Sequence, residues 1–155
     1  MGYYGDCLFK NCYTTGNITA GETGGICGRY SGIYGRCTVI NCFTLGSIPG
    51  YSGGIGATNC GYGGFFCVQN CFSLGYINAN AGGIMGYGAG ISNGFCIIQN
   101  CYSGGTNVGG GMCGYGAGII GGICIMQNCY SANSNTYGMC YSGAGGQNGL
   151  VVTPE

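Results

Sequence analysis

Residues 37–66 read CTVINCFTLGSIPGYSGGIGATNCGYGGFF. The stretch opens on a run of strand-forming residues, Cys37 to Leu45, and continues as short apolar pieces cut by Gly. Its Asn41-Cys42-Phe43 has four counterparts: Asn11-Cys12-Tyr13, Asn70-Cys71-Phe72, Asn100-Cys101-Tyr102 and Asn128-Cys129-Tyr130, at spacings of 30, 29, 30 and 28 residues. Other columns keep step: a leading Cys at Cys7, Cys37, Cys67, Cys96 and Cys124, and a hydroxyl at Thr14, Thr44, Ser73, Ser103 and Ser131. Two residues further on stand Gly16, Gly46, Gly75 and Gly105, with Asn133 in the fifth copy. A Gly-apolar pair recurs at Gly25-Ile26, Gly54-Ile55, Gly83-Ile84, Gly111-Met112 and Gly138-Met139. A fixed period of this length is the mark of a repeat architecture.

Helical repeats do not fit, because Gly costs about 1 kcal/mol per helix position against Ala, and 39 of the 155 residues are Gly. Short strands punctuated by Gly turns predict an all-β fold, a parallel β-solenoid of five coils with 28–30 residues each. One domain covers residues 1–155, with coils at about 7–36, 37–66, 67–95, 96–123 and 124–149. Residues 1–6 read as a partial coil and 150–155 as a terminal strand. At about 4.8 Å per rung the rod is about 24 Å long. A propeller of short blades is the competing repeat reading, but blades run to ~40 residues.

Composition removes several functions. Three basic residues cannot neutralise a nucleic-acid backbone. The uncharged stretch Gly109–Met126 is long enough for a membrane span, but eight of its residues are Gly and it lies inside a repeat. Collagen needs Gly at every third position, and disordered chains are poor in aromatics. The chain has 14 Cys, 14 Tyr and no His. Without His there is no Ser-His-Asp or Cys-His pair, and the two carboxylates of the first copy, Asp6 and Glu22, do not recur. The reading is therefore a non-enzyme with no cofactor and no metal. Cys-x4-Cys in four copies has the wrong spacing for zinc. Buried stacked thiols and disulfides between adjacent rungs both remain open.

Strand alternation puts the leading Cys, the Val39 position and the Asn on one face. Both Cys columns then point inward only if the chain turns at Asn, a residue that tolerates left-handed geometry. This predicts a structural ladder of buried, mutually bonded Asn11, Asn41, Asn70, Asn100 and Asn128, beside an inner column of Cys12, Cys42, Cys71, Cys101 and Cys129. Lys10, Ile40, Gln69, Gln99 and Gln127 face out, as do the aromatics Tyr13, Phe43, Phe72, Tyr102 and Tyr130, an interaction stripe. The third copy is one residue short between Cys67 and Cys71, which predicts a bulge or flattened turn. A sparser column holds Cys27, Gly56, Met85, Cys113 and Cys140, and a second Tyr set holds Tyr30, Tyr62, Tyr87, Tyr115 and Tyr141.

Asn-Cys-Tyr-Thr-Thr-Gly-Asn-Ile (11–18) followed by Gly-Gly-Ile-Cys-Gly (24–28) resembles the GLUG-motif repeats of bacterial surface proteins, and is similar to Cys-rich repeats of large DNA viruses. The resemblance spans about residues 7–149. It implies a β-solenoid used for adhesion or surface display rather than catalysis.

Open strand edges at both ends, near-zero net charge and an aromatic stripe together suggest self-association. The expected function is a building block of an end-to-end fibre or surface layer, with the chain itself as head-to-tail partner. An adhesin-like module stacking its aromatic stripe on surface glycan is one alternative, and an ice-binding protein is a second. An extracellular filament, a cell surface or a virion surface is the favoured location.

Overall fold

The computed structural model describes residues 4–106, 108–132, 138–146 and 148–152, in strands, bridges, turns, bends and irregular connections, with no helix among them. Asn133, Pro154, Glu155 and half of the first partial coil (residues 1–3) lie outside the described residues. The chain is an all-β, parallel β-solenoid of about five turns.

Each turn begins with a five-residue strand: β1 (Asp6–Lys10), β3 (Arg36–Ile40), β5 (Phe65–Gln69), β7 (Phe95–Gln99) and β9 (Ile123–Gln127). A two-residue strand follows each: β2 (Tyr13–Thr14), β4 (Phe43–Thr44), β6 (Phe72–Ser73), β8 (Tyr102–Ser103) and β10 (Tyr130–Ser131). The long strands, with β11 (Leu150–Val152) at the far edge, form a six-stranded sheet in the order β1-β3-β5-β7-β9-β11, and the short ones form a five-stranded sheet. Every pairing is parallel, as successive turns of one coil require. Isolated parallel bridges build a further wall, in which Cys27, Gly56, Met85, Cys113 and Cys140 pair in succession.

The Asn between each long and short strand makes the corner. Asn11, Asn41, Asn70, Asn100 and Asn128 all have positive φ, between 50 and 56°, a conformation Asn reaches more easily than other residues with a Cβ. The turn reverses the alternation, so Cys37 and Val39 before it and Cys42 after it all point inward and are buried. The Asn side chains, by contrast, stand exposed. The expected burial of this ladder is corrected here: a residue that forms the corner belongs to neither inner face.

The third copy is corrected as well. β5 pairs residue for residue with β3, Cys37 opposite Phe66 and Thr38 opposite Cys67, and carries no bulge. The inward positions are counted back from the corner at Asn70, so Val68 and Phe66 face the core, and Cys67 takes an outward slot beside Thr38 and Ile97. The third coil thus starts at Phe66.

The core is one continuous cluster of thiols and aliphatic side chains, including Val39, Val68, Ile98 and Met126 stacked in one column. Full burial of such a side chain contributes about 1.5–3 kcal/mol. A smaller cluster, Ile48, Ile77 and Ala81, fills the turn beyond the short strands.

Candidate functional site

Repetition turns single side chains into surface columns, and four of them define the exterior and interior of the rod. At the corner, Asn41 Nδ2 donates to Asn11 Oδ1 at 3.3 Å, Asn70 to Asn41 at 3.3 Å, Asn100 to Asn70 at 3.1 Å and Asn128 to Asn100 at 3.2 Å. Beside it runs a second amide ladder that the sequence reading placed outside but did not recognise as bonded. Gln69 Nε2 donates to Gln99 Oε1 at 2.7 Å, and Gln99 to Gln127 at 2.5 Å. Its signal was visible, since Gln precedes Asn in three successive copies.

The inner thiols beyond the corner act as hydrogen-bonding struts. Cys42 Sγ donates to Ile40 O at 3.2 Å, Cys71 to Gln69 O at 3.2 Å, Cys101 to Gln99 O at 3.1 Å and Cys129 to Gln127 O at 3.3 Å. Cys42 and Cys71 also accept the N–H of Cys12 and Cys42 from the preceding coil, at 3.4 and 3.3 Å. A short side chain with a weak donor and a polarisable acceptor satisfies the backbone that the left-handed Asn diverts. Cys12, at the head of this column, is half-buried and donates to Lys10 O at 3.4 Å. Burial pushes the Cys42, Cys60 and Cys67 thiols up, and lifts Cys7 from 9.0 to about 12. Cys60, outside every column read from the sequence, is fully buried.

The hydroxyl column points inward. Thr44, Ser73 and Ser103 are buried, and Thr44 Oγ1 lies 3.2 Å from Ser73 Oγ. Opposite it runs the Gly column. A Cβ on Gly54 would come within 2.7 Å of Ser73 Oγ, and one on Gly83 would collide with Ser103 Oγ.

The aromatic column faces out. Its rings stack in two runs: Tyr13 on Phe43 at 5.1 Å and 8°, Phe43 on Phe72 at 4.8 Å and 1°, then Tyr102 on Tyr130 at 5.7 Å and 2°. Rings stacked this closely cover one another's faces and present edges to solvent. The most exposed members are the two at the ends, Tyr13 at 66% and Tyr130 at 64%. The second Tyr set is not one column. Tyr87 and Tyr115 stack at 5.7 Å, whereas Tyr62 is out of register, its carbonyl accepting from Tyr34 N while Tyr30 N bonds to Thr58 O.

Charge is confined to the first copy and the end of the chain. Arg29 pairs with Glu22 at 2.6 Å, and Arg36 lies 4.6 Å over the Phe65 ring. Among the described residues no group of three His, Cys, Asp or Glu is placed to hold a metal ion, and no helix is long and apolar enough to cross a membrane. The described part of 109–126 forms bridges, turns and most of β9. No protein-family model matches this chain, and no curated protein or solved structure is similar to it at a significant level.

Proposed function

We propose that the protein is a non-catalytic structural unit that stacks end to end into a fibre or surface layer. The observation that carries this reading is the open six-stranded sheet. Its edge strands β1 and β11 have no partner on their outer sides among the described residues. Leu150 N bonds inward to Gly122 O at 2.9 Å, so strand alternation turns the N–H and C=O of Val151 outward. At the other edge Arg36 N bonds to Gly5 O and Asn11 N to Ile40 O, which leaves the backbone groups of Asp6, Leu8 and Lys10 facing outward. The two edges match in polarity: Val151 N–H meets Asp6 C=O of a second copy, and Leu8 N–H of that copy meets Val151 C=O. A translated copy repeats the contact without closing a ring, which is the geometry of a filament. Leu8 is 64% exposed and Leu150 50%, so docking also covers apolar surface. β1 does carry Lys10 as well as Asp6, at its two ends, and Lys on an edge strand weakens such pairing.

The rival readings find less support in the geometry. Sugar stacking needs open ring faces, and the stacking of Phe43 between Tyr13 and Phe72, and of Tyr102 on Tyr130, leaves such faces only at the ends of the two runs. Ice recognition by a hydroxyl array needs the hydroxyls outside, and this column lies against Gly in the interior. The resemblance of residues 11–18 and 24–28 to GLUG-motif repeats agrees with surface display.

Electron microscopy and sedimentation of the purified chain test the proposal. Filaments are expected from the unmodified protein, and monomers of unchanged circular dichroism from Val151→Pro or Leu8→Pro, each of which deletes one outward N–H. Val151→Ala keeps its N–H and is expected to assemble. A chain that stays monomeric at high concentration, or assembly indifferent to both Pro variants, rules the reading out.

A further inference from the structure

Some thiols meet not only along a column of the rod but across its interior. The wall containing Cys27, Gly56, Met85, Cys113 and Cys140 faces, across the interior, the long-strand column of Cys37, Phe66, Cys96, Cys124 and Val151. At two places this opposition brings Cys against Cys. Cys113 Sγ and Cys124 Sγ are 3.8 Å apart and buried. Cys27 and Cys37 occupy the equivalent register places between the first coil and the second, and both are buried. Elsewhere the pattern is interrupted, with Gly56 opposite Phe66, Met85 opposite Cys96 and Cys140 opposite Val151.

We propose that Cys27–Cys37 and Cys113–Cys124 are disulfide-forming pairs that staple the first coil to the second and the fourth to the fifth across the core when the chain folds in an oxidising medium. Side chains in neighbouring rungs of one column run side by side at the strand spacing of about 4.8 Å, beyond the usual Cβ separation of a disulfide, about 3.5–4.5 Å. Side chains meeting across the core point at each other, and sulfurs already in van der Waals contact reach the bond length of about 2.05 Å by rotation about χ1. The cross-core loops are also the short ones. Residue 27 to 37 or 113 to 124 closes one side of a coil, whereas Cys7 to Cys37 closes a whole turn, and the entropic cost of closure grows with loop length. The second column is held differently, each of Cys42, Cys71, Cys101 and Cys129 bonding to the carbonyl two residues back. Those thiols stay reduced.

The oxidant is a low-molecular-weight disulfide such as glutathione disulfide. One cysteine thiolate attacks it, forming a mixed disulfide and expelling one small thiolate, and the second cysteine then displaces the other. Two protein thiols lose two electrons and two protons, and the small disulfide leaves as two thiols. The exchange takes place during folding, before the coil closes over sulfurs that end at 0–1% exposure. Once closed, the same burial shields the bonds from reductants, so the folded rod keeps a record of the medium in which it formed. This proposal does not depend on filament formation.

The test is to fold the chain in a glutathione redox buffer, unfold it in guanidinium with iodoacetamide so that every remaining thiol is blocked, and map the unreduced protein. Four of the 14 cysteines are expected to escape alkylation. Trypsin cuts after Arg29 and Arg36, so the Cys27 and Cys37 peptides then stay joined only through sulfur. Cleavage after Tyr115 likewise separates Cys113 from Cys124 unless they are bonded. Cys113→Ala is expected to abolish the second link and keep the first. Alkylation of all 14 thiols, or a map in which Cys7–Cys37, Cys96–Cys124 or mixed pairings predominate, overturns the proposal, whatever the behaviour of the variant.

Discussion

Gly56 and Phe66, where the second coil passes into the third, occupy the two places that hold Cys27 and Cys37, and Cys113 and Cys124, elsewhere in the rod. A Cβ on Gly56 would sit 3.2 Å from Phe66 Cζ and 2.8 Å from Met85 Sδ, so the missing side chain on one wall accommodates the large one on the other. The exchange conserves volume across the core, and core packing tolerates volume-conserving changes best. It predicts strong coupling between the two sites. Phe66→Cys alone leaves a cavity and costs about 3 kcal/mol or more. Gly56→Cys alone overpacks the core and costs about 1–3 kcal/mol. The double variant restores the Cys–Cys opposition and is expected to recover about 1–3 kcal/mol of the summed loss. Urea unfolding of the four proteins in reductant measures the cycle, and losses that simply add would show that the sites do not share a space.

Among elements, the Asn corner governs the most geometry. Five left-handed residues reverse the strand alternation and set the register from which inward positions are counted. At an exposed corner Asn70 contributes two ladder bonds and an easy left-handed backbone. Asn70→Leu is expected to cost about 2–4 kcal/mol, from left-handed strain of about 1 kcal/mol and two bonds of about 0.5–1.5 kcal/mol each. Asn70→Gly keeps the backbone and loses only the bonds, so its urea midpoint should fall between those of Leu and the parent. Equal midpoints for Gly and Leu would mean that backbone strain plays no part. The same corner explains how far the sequence could be read. The recurrence of Asn-Cys-aromatic fixed the period, the number of coils and the absence of helix, because Gly at such density admits little besides turns and short strands. The bend was legible because two Cys columns of opposite parity both had to point inward. The exposure of the Asn was not, since alternation says nothing about the residue at which it reverses. Cys67 misled for a related reason: aligning Cys with Cys overrode the count back from Asn70, which gives Phe66. The inward hydroxyls follow from Gly25, Gly54, Gly83 and Gly111, half a coil away, and single-strand parity does not reach that far.

For the whole molecule, a narrow interior lined with thiols, in a chain without His, gives an unusual dependence on pH. Nothing in the side-chain inventory has an ordinary pKa between 5 and 8, but the Cys101 hydrogen bond draws the Cys129 thiol down from 9.0 to about 7, so stability in reductant is expected to rise modestly from about pH 7 to pH 9. Above it the buried thiols dominate. Burial raises Cys7 from 9.0 to about 12 and moves Cys42, Cys60 and Cys67 in the same direction. A thiol with a raised folded-state pKa keeps its proton in the fold and loses it on unfolding. Between about pH 9 and pH 12 the unfolded chain therefore binds fewer protons, and stability falls as pH rises. Each thiol that ionises only on unfolding contributes a slope of about 1.4 kcal/mol per pH unit. Guanidinium unfolding midpoints at pH 6, 8, 10 and 11 in a phosphine reductant should rise slightly over the first interval and drop steeply between pH 10 and 11. A Cys60→Ala variant, whose cavity lowers stability at every pH, should show a shallower alkaline slope than the parent. A midpoint still level at pH 11 would mean that water reaches these sulfurs in the folded rod, and that the thiol core is open rather than sealed.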